Sequence, residues 1–166
     1  MTRRRAGASV DRRLGFVAFV CVAAVAAALV SQHRFGMEPC PWCVLQRVIF
    51  LAIALACVIG LAWRSSIGRA VAGTLALLLA IGGAAAALWQ HFYAAASASC
   101  NLTLADKILN ALTLPTVLPD AFEPRASCAD AAISLFGISY DFWSLALFVL
   151  FGLVSMSVLA GGRRRR

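Results

Sequence analysis

The chain has 166 residues, of which 62% are hydrophobic and 13% are charged, and its formal net charge is +8 at pH 7. A water-soluble domain of this size could not bury so much apolar surface, so the composition excludes an ordinary soluble protein and indicates a membrane protein. Most basic residues are clustered at the two termini beside apolar segments, where they favour a role as topology signals over nucleic-acid binding.

Four apolar segments predict four membrane-spanning helices, at residues 14–32, 44–63, 70–90 and 143–160. Each has about 18 to 21 residues, which at about 1.5 Å per residue can cross a hydrocarbon layer of about 30 Å. The four tryptophans all lie at segment ends, as in an aromatic belt: Trp42, Trp63, Trp89 and Trp143. We therefore predict an all-α integral membrane protein, a four-helix transmembrane bundle in the lipid bilayer that forms a single domain over residues 1–166.

The distribution of arginine and lysine predicts the orientation. If the helices alternate in direction, 11 of the 15 basic residues lie on one side: in the N-terminal segment, in the link 64–69 and in the C-terminal tail. The positive-inside rule then puts both termini in the cytoplasm and the loops 33–43 and 91–142 outside. An alternative is that the first segment is a cleaved signal peptide with a cleavage site near Ala26–Ala28, which would leave the orientation of the other helices unchanged.

The long second outer loop, residues 91–142, contains a pattern typical of a short helix over Thr103–Leu112. Thr103 is the predicted N-cap, and Asp106 follows three residues later. Its apolar residues share one face: Leu104, Ile108, Leu109 and Leu112. We therefore expect this helix to lie horizontally on the membrane surface.

The sequence contains six cysteines in two different settings. Cys21 and Cys57 lie inside apolar segments, where a cysteine usually serves as a small buried hydrophobic residue. The other four all belong to the predicted outer loops: Cys40, Cys43, Cys100 and Cys128. In a bacterial envelope the outer compartment is oxidising, so we expect these four to form two disulfides. A Cys100–Cys128 bridge alone could be a structural cross-link of the loop.

The stretch "PCPWCVLQR", residues 39–47, is the most informative motif. A bridge between Cys40 and Cys43 closes so short a loop that it adds little stability, which favours a reactive pair. Cys43 immediately precedes the predicted helix that starts at Val44, and a helix N-terminus stabilises a thiolate. Arg47 follows one turn later on the same face and adds a positive charge.

Arg47 lies inside the end of a predicted membrane helix, where an ionisable residue is a candidate for function. The alternative is that its side chain extends to the interface and has no other role. A lipid-soluble acceptor of two electrons beside a dithiol indicates a quinone. His91, at the outer end of the third segment, could donate a hydrogen bond in the same layer, although a histidine there could equally be a polar cap.

Taken together, these features resemble the bacterial disulfide bond formation protein B (DsbB) family. The resemblance covers nearly the whole chain: four helices, cytoplasmic termini, a C-x-x-C in the first outer loop and a cysteine pair in the second. The stretch "PCPWCVLQR", the "WQH" that ends at His91 and the "DFWSL" at Asp141–Leu145 are similar to motifs of that family.

The resemblance implies a disulfide-generating thiol:quinone oxidoreductase of the bacterial inner membrane. Its partners would be a periplasmic DsbA-type thiol oxidase and a membrane quinone, either ubiquinone or menaquinone. Arg47 and His91 would bind the quinone. The sequence leaves open which quinone, which DsbA-type paralogue and which oligomeric state the protein uses.

The resemblance also implies an order of reaction for the four outer cysteines. A thiolate of the reduced partner attacks Cys100, which releases Cys128. Cys128 then attacks Cys40, and Cys43 leaves as a thiolate that passes electrons to the quinone. A thiolate at a helix start suits this role, because thiol exchange favours a leaving group of low pKa.

Three other interpretations remain open. Vitamin K epoxide reductase-like proteins also combine a helical bundle, two cysteine pairs and a quinone, but their C-x-x-C follows the loop pair, whereas here it comes first. A zinc site built from four cysteines is disfavoured by the single C-x-x-C and the absence of a histidine cluster from the sequence, so we predict no metal. A non-catalytic scaffold with structural disulfides would leave Cys40, Cys43 and Arg47 without a role.

Overall fold

The computed structural model describes residues 2–63, 65–94, 103–131, 134–135 and 137–163. Cys100 lies outside these ranges. The elements in chain order are α1 (Thr2–Phe35), α2 (Pro41–Trp63), α3 (Ser66–Trp89) continued by a π-helical turn (Gln90–Ala94), α4 (Leu104–Ala111), α5 (Leu114–Val117), α6 (Pro119–Phe122), β1 (Ser134–Leu135), β2 (Ile138–Ser139) and α7 (Tyr140–Arg163).

Among the described residues, four helices are long and apolar enough to cross a membrane: Gly7–Phe35, Pro41–Trp63, Ser66–Ala94 and Tyr140–Gly161. The predicted all-α membrane protein with four spanning helices is therefore confirmed. The helices extend beyond the predicted apolar segments, most of all in α1, which begins at Thr2 and not at Leu14. Hydropathy marks only the part that suits lipid, whereas helical hydrogen bonding continues into the polar flanks.

The chain divides into two compact units. The first contains the residues up to Val25, Ile49–Gly82 and the residues from Leu147 onward, and the second contains Ala26–Val48 and Gly83–Ala146. All the predicted site residues that the structure describes belong to the second unit.

The first unit is packed around aromatic and small side chains. The ring of Phe50 stacks on Phe148 with centroids 4.3 Å apart and meets the ring of Phe151 edge-on at 5.9 Å, both favourable aromatic geometries. Cys21 and Cys57 are fully buried here. Their surroundings agree with the interpretation that they are small hydrophobic residues of the core.

The second unit contains the predicted loop helix. Helix α4 begins after Thr103, whose side chain accepts a hydrogen bond from the Asp106 backbone, while the Asp106 carboxylate accepts one from the Thr103 backbone N–H at 2.8 Å. This capping box confirms the helix start that the sequence predicts. The horizontal orientation of the helix on the membrane stays a prediction.

The apolar face of α4 is only partly buried. Leu109 packs with Val44 and Phe122 in a small core cluster, whereas Leu104 and Leu112 are exposed. Leu109 therefore attaches the helix to the beginning of α2, and Ala105 is also buried, whereas the larger Leu104 and Leu112 are exposed.

A short hairpin that the sequence analysis did not predict precedes α7. Strands β1 and β2 are antiparallel, with Ser134 opposite Ser139 and Leu135 opposite Ile138. Gly137 in the turn has a φ of +79°, which favours glycine. Because β2 leads directly into Tyr140, the hairpin determines where α7 begins.

One glycine of the first unit lies where two helices pack tightly. A Cβ atom on Gly60 of α2 would overlap the Cβ of Ala72 in α3. We expect Gly60→Ala to destabilise the protein by about 1–3 kcal/mol, the usual cost of overpacking, measured by unfolding in mixed detergent–SDS micelles. Gly82→Ala is the control, because a Cβ there meets nothing within 4 Å, and it should not destabilise. Equal losses in both variants would contradict this account of the helix contact.

Candidate functional site

The site is built on the N-terminus of α2. The Cys43 backbone N–H donates to the sulfur of Cys40 at 3.2 Å, and the Val44 N–H donates to the Cys40 carbonyl oxygen at 3.0 Å. Cys40 is thus the N-cap, with its sulfur where serine or aspartate would present an oxygen. Pro41 suits the first helical position because its missing N–H would be unpaired there.

This arrangement corrects the predicted helix start. We expected Cys43 to precede a helix that starts at Val44, but α2 begins at Pro41 and Cys43 lies in its first turn. The apolar pattern begins only at Val44, so it could not reveal a turn made by the cap and the proline. Cys43 is nevertheless close to the positive end of the helix dipole.

Three cysteine sulfurs meet at this point. The Sγ atoms of Cys40 and Cys43 are 2.6 Å apart, and the Cys40 thiol is also hydrogen-bonded to Cys128 from the second loop. The backbone of Trp42 makes a further hydrogen bond to Cys128. The structure therefore brings Cys128 to Cys40, two residues that the family resemblance relates as reaction partners.

Among the residues that the structure describes, the two cysteines outside the membrane helices, Cys40 and Cys128, differ in acidity. The pKa of Cys40 is raised above its usual range, because its thiol donates a hydrogen bond to Cys128, because it is also hydrogen-bonded to Cys43, and because it is buried. The pKa of Cys128 is lowered, mainly because Cys40 donates to its sulfur; the Trp42 backbone adds to this effect and burial opposes it. Between these two thiols, Cys40 keeps the proton and Cys128 ionises first.

Main-chain hydrogen bonds hold the Cys128 segment against the first loop. The carbonyl oxygen of Pro39 accepts from the backbone N–H of Arg125 at 3.0 Å and of Ala126 at 3.3 Å. These bonds lie next to Cys40 on one segment and two to three residues from Cys128 on the other. The contact between the two cysteines is therefore supported by the backbone of both loops.

Arg47 is buried and hydrogen-bonded. Its Nη1 donates to Gln32 Oε1 at 2.7 Å and to the Ala121 carbonyl oxygen at 2.9 Å, and the side chain is only 7% exposed. Gln32 in turn donates from Nε2 to the Asp120 carbonyl oxygen at 3.1 Å. The Arg47 guanidinium is bound within the protein and is not free in solvent. It joins α1 and α2 to α6 and interacts electrostatically with Cys43.

Three residues that the sequence did not assign to the site form a hydrogen-bonded group next to Cys43. Gln90 Nε2 donates to the Cys43 sulfur at 3.3 Å and also to Asp141 Oδ1 through a short hydrogen bond. Gln46 Nε2 donates to Gln90 Oε1 at 2.8 Å. Gln46, Gln90 and Asp141 are all buried. The signal that could have found them is the presence of polar side chains at the ends of apolar segments, where each must have a partner.

His91 is connected to this group through Asp141. Its Nδ1 lies 3.4 Å from Asp141 Oδ2, an oxygen that also accepts from the Ser139 hydroxyl at 3.2 Å. The imidazole packs against the ring of Phe142 and is about one third exposed. The structure thus relates His91 to Cys43 by way of Asp141 and Gln90.

Trp42 adds an unused donor to the site. Within the described residues its indole Nε1 is buried and has no hydrogen-bond partner, an unusual state for a buried polar atom. Its ring lies 6.5 Å from that of Trp89, which stacks on Tyr93 at 4.6 Å. The indole N–H is therefore available to an acceptor that the described part of the chain does not supply.

The fold and these thiols define a multi-pass membrane protein with three cysteines in contact at one end of a spanning helix. The family model for the disulfide bond formation protein DsbB matches residues 11–158. The chain is 35% identical over 156 residues to disulfide bond formation protein B 1 of Pseudomonas savastanoi, covering 93% of this chain and 92% of the relative. It is 34% identical over 148 residues to disulfide bond formation protein B of Aromatoleum aromaticum, covering 87% and 89%.

The chain belongs to the DsbB family of disulfide bond formation proteins. It is accordingly a multi-pass bacterial membrane protein and an oxidoreductase of disulfide bond formation. This membership agrees with the position of the cysteines, which lie where the first and second loops meet above α2.

The difference between Cys40 and Cys128 can be measured by thiol alkylation. In the reduced Cys100→Ser protein, we expect the alkylation rate of Cys128 to reach half its maximum at a pH below the ordinary thiol value of about 8.5, because its thiolate is stabilised. The alkylation rate of Cys40 should not reach half its maximum up to about that pH, because Cys40 keeps its proton. Peptide-resolved mass spectrometry after brief iodoacetamide treatment gives both profiles.

The midpoint of each profile reports ionisation independently of how accessible each sulfur is. In SDS-unfolded protein the two profiles should coincide. A Cys40 midpoint at or below that of Cys128 in the folded protein would contradict the assignment.

Proposed function

We propose that the protein is a thiol:quinone oxidoreductase that reoxidises a periplasmic DsbA-type dithiol protein and passes the electrons to ubiquinone or menaquinone. It would act in the inner membrane with both termini in the cytoplasm. The observation that carries the proposal is the contact of Cys128 with Cys40, and of Cys40 with Cys43, at the N-terminus of a membrane-spanning helix.

The contacts support the proposed order of thiol exchange. The partner thiolate would attack Cys100 and release Cys128 as a thiolate, the form that its lowered pKa favours. Cys128 would then attack Cys40, forming a Cys128–Cys40 bond as the Cys40–Cys43 bond breaks. Each exchange forms one S–S bond and breaks one, so the electrons move toward Cys43 without any external oxidant.

Three features favour Cys43 as the sulfur that leaves. It lies in the first turn of α2, and the Gln90 side chain donates a hydrogen bond to it. Hydrogen bonds and a helix N-terminus both stabilise a thiolate relative to a thiol. Arg47 adds a fixed positive charge that interacts electrostatically with Cys43.

The residues around Cys43 fit a quinone, whose two carbonyl oxygens accept hydrogen bonds. The buried indole N–H of Trp42 lacks a partner among the described residues, and the Arg47 guanidinium carries five N–H groups, of which its bonds to Gln32 and Ala121 use those on Nη1. Arg47 and His91 remain the proposed quinone-binding residues, and Trp42 joins them. A bound quinone would supply an acceptor for two electrons and two protons.

The decisive experiment is quinone reduction by the purified protein given a reduced DsbA-type dithiol protein. We expect dithiol-dependent loss of oxidised quinone, with Cys43→Ser at background because the thiolate that donates electrons is gone. Cys57→Ser is the control, since this buried cysteine belongs to the first unit, and it should retain activity. If the native protein starts with both outer cysteine pairs oxidised and reduces no quinone, the interpretation as a non-catalytic scaffold replaces the proposed oxidoreductase. Loss of bound metal in Cys43→Ser would indicate a zinc site.

The role of Arg47 can be separated from its structural bonds. We expect Arg47→Ala to raise the apparent KM for quinone about tenfold, equivalent to about 1.4 kcal/mol, with binding of the DsbA-type partner largely intact. Gln32→Ala is the matched control, because it removes the bonds to Arg47 and Asp120 but keeps the guanidinium, and it should change this KM less than twofold. An unchanged KM in Arg47→Ala, or the same rise in both variants, would argue against a direct role.

A further inference from the structure

Asp141 is a buried carboxylate to which the series of thiol exchanges assigns no role. It lies in the first turn of α7 and is 4% exposed. Three groups approach it: Gln90 at Oδ1, and Ser139 and His91 at Oδ2. Burial of a carboxylate at the end of a membrane helix is costly and usually reflects a function.

The side-chain amide of Gln90 has two possible orientations, which exchange the positions of its oxygen and its nitrogen. In the structure Gln46 Nε2 donates to Gln90 Oε1, and Gln90 Nε2 faces Cys43 and Asp141. If both amides rotated together, Gln46 would accept from Gln90, and the Gln90 oxygen would face the Cys43 sulfur. That arrangement would satisfy both amides equally well and would favour a protonated Cys43.

Asp141 disfavours the arrangement in which both amides are rotated. A carboxylate has only acceptor atoms, so a rotated Gln90 would direct its oxygen against an oxygen of Asp141. The Gln46–Gln90 pair can form its hydrogen bond in either orientation. Among the described residues that contact this pair, the Asp141 carboxylate is the group that distinguishes the two orientations.

We propose that Asp141 is a positioning residue that holds the Gln90 amide with its N–H toward Cys43, so that this sulfur is maintained as a thiolate. This role has a purpose only if Cys43 donates electrons as proposed above, and it therefore rests on the proposed function. The hydrogen-bond arrangement itself does not require a quinone or a partner protein.

Other charged or titratable groups also act on Cys43. They are Cys40 at the N-cap of α2, Arg47 of α2, Cys128 of the second loop and Tyr140 of α7. His91 contacts Asp141 on the side of Oδ2. The negative charge of Asp141 by itself opposes a neighbouring thiolate. Its removal would therefore increase the thiolate fraction if charge alone mattered, and decrease it if the orientation of Gln90 matters more.

The loss of charge and the loss of amide orientation change the thiolate fraction of Cys43 in opposite directions, so a substitution of Asp141 distinguishes them. The readout is the iodoacetamide alkylation rate of Cys43 at pH 7, resolved by peptide mass spectrometry in reduced, quinone-free protein. We expect Asp141→Asn to slow it about tenfold, because an asparagine accommodates either amide orientation. Ser139→Ala is the control, because it removes a bond to Oδ2 only, and its rate should stay within about twofold of the native rate.

A second variant, Gln90→Leu, separates the effect of amide orientation from a general disturbance of the fold. Gln90→Leu should slow Cys43 alkylation as well, since the donor is lost. In the Gln90→Leu background, Asp141→Asn should then accelerate alkylation, because only the charge effect remains.

An unchanged or faster rate in Asp141→Asn alone would overturn the proposal, as would an equal slowing in both backgrounds. Failure of quinone reduction by the native protein would refute the proposed function but would leave this measurement intact.

Discussion

The site depends on the unpaired backbone N–H groups at the start of α2. The first amides of a helix have no partner within the helix, and here sulfur atoms take that place. The Cys43 N–H donates to the Cys40 sulfur, and the Trp42 backbone bonds to Cys128. The same hydrogen bonds that complete the helix therefore help to hold three cysteines together, and the bond from the Trp42 backbone favours the ionised form of Cys128. Helix stability and thiol chemistry have one physical origin in this protein.

The membrane imposes a second constraint on the same region. Polar groups in a spanning segment must find partners within the protein, and this requirement organises two sets of contacts. Arg47 and Gln32 join the ends of α1 and α2 to the α6 segment of the second loop. Gln90 and Asp141 join the end of α3 to the start of α7. The first set supports the loop that carries Cys128, and the second surrounds Cys43.

Much of this architecture was predictable because each signal is local. Segment length and hydropathy predict the four spanning helices, and Thr103 with Asp106 predicts the start of α4 within one segment. Gln90 and Asp141 were not predictable in the same way. They are 51 positions apart in the chain, and nothing in the spacing of either motif indicates that they share a hydrogen bond.

The spanning helices, their polar ends and the position of the C-x-x-C could be read from the sequence, because hydrophobicity and helix capping act over a few residues. The contact of Cys128 with Cys40 and the burial of Arg47 against Ala121 became visible only in the folded chain. These contacts join segments far apart in the chain, and the need to pair every buried polar group selects among the ways such segments can meet. The chemistry of Cys43 follows from that selection and not from its motif alone.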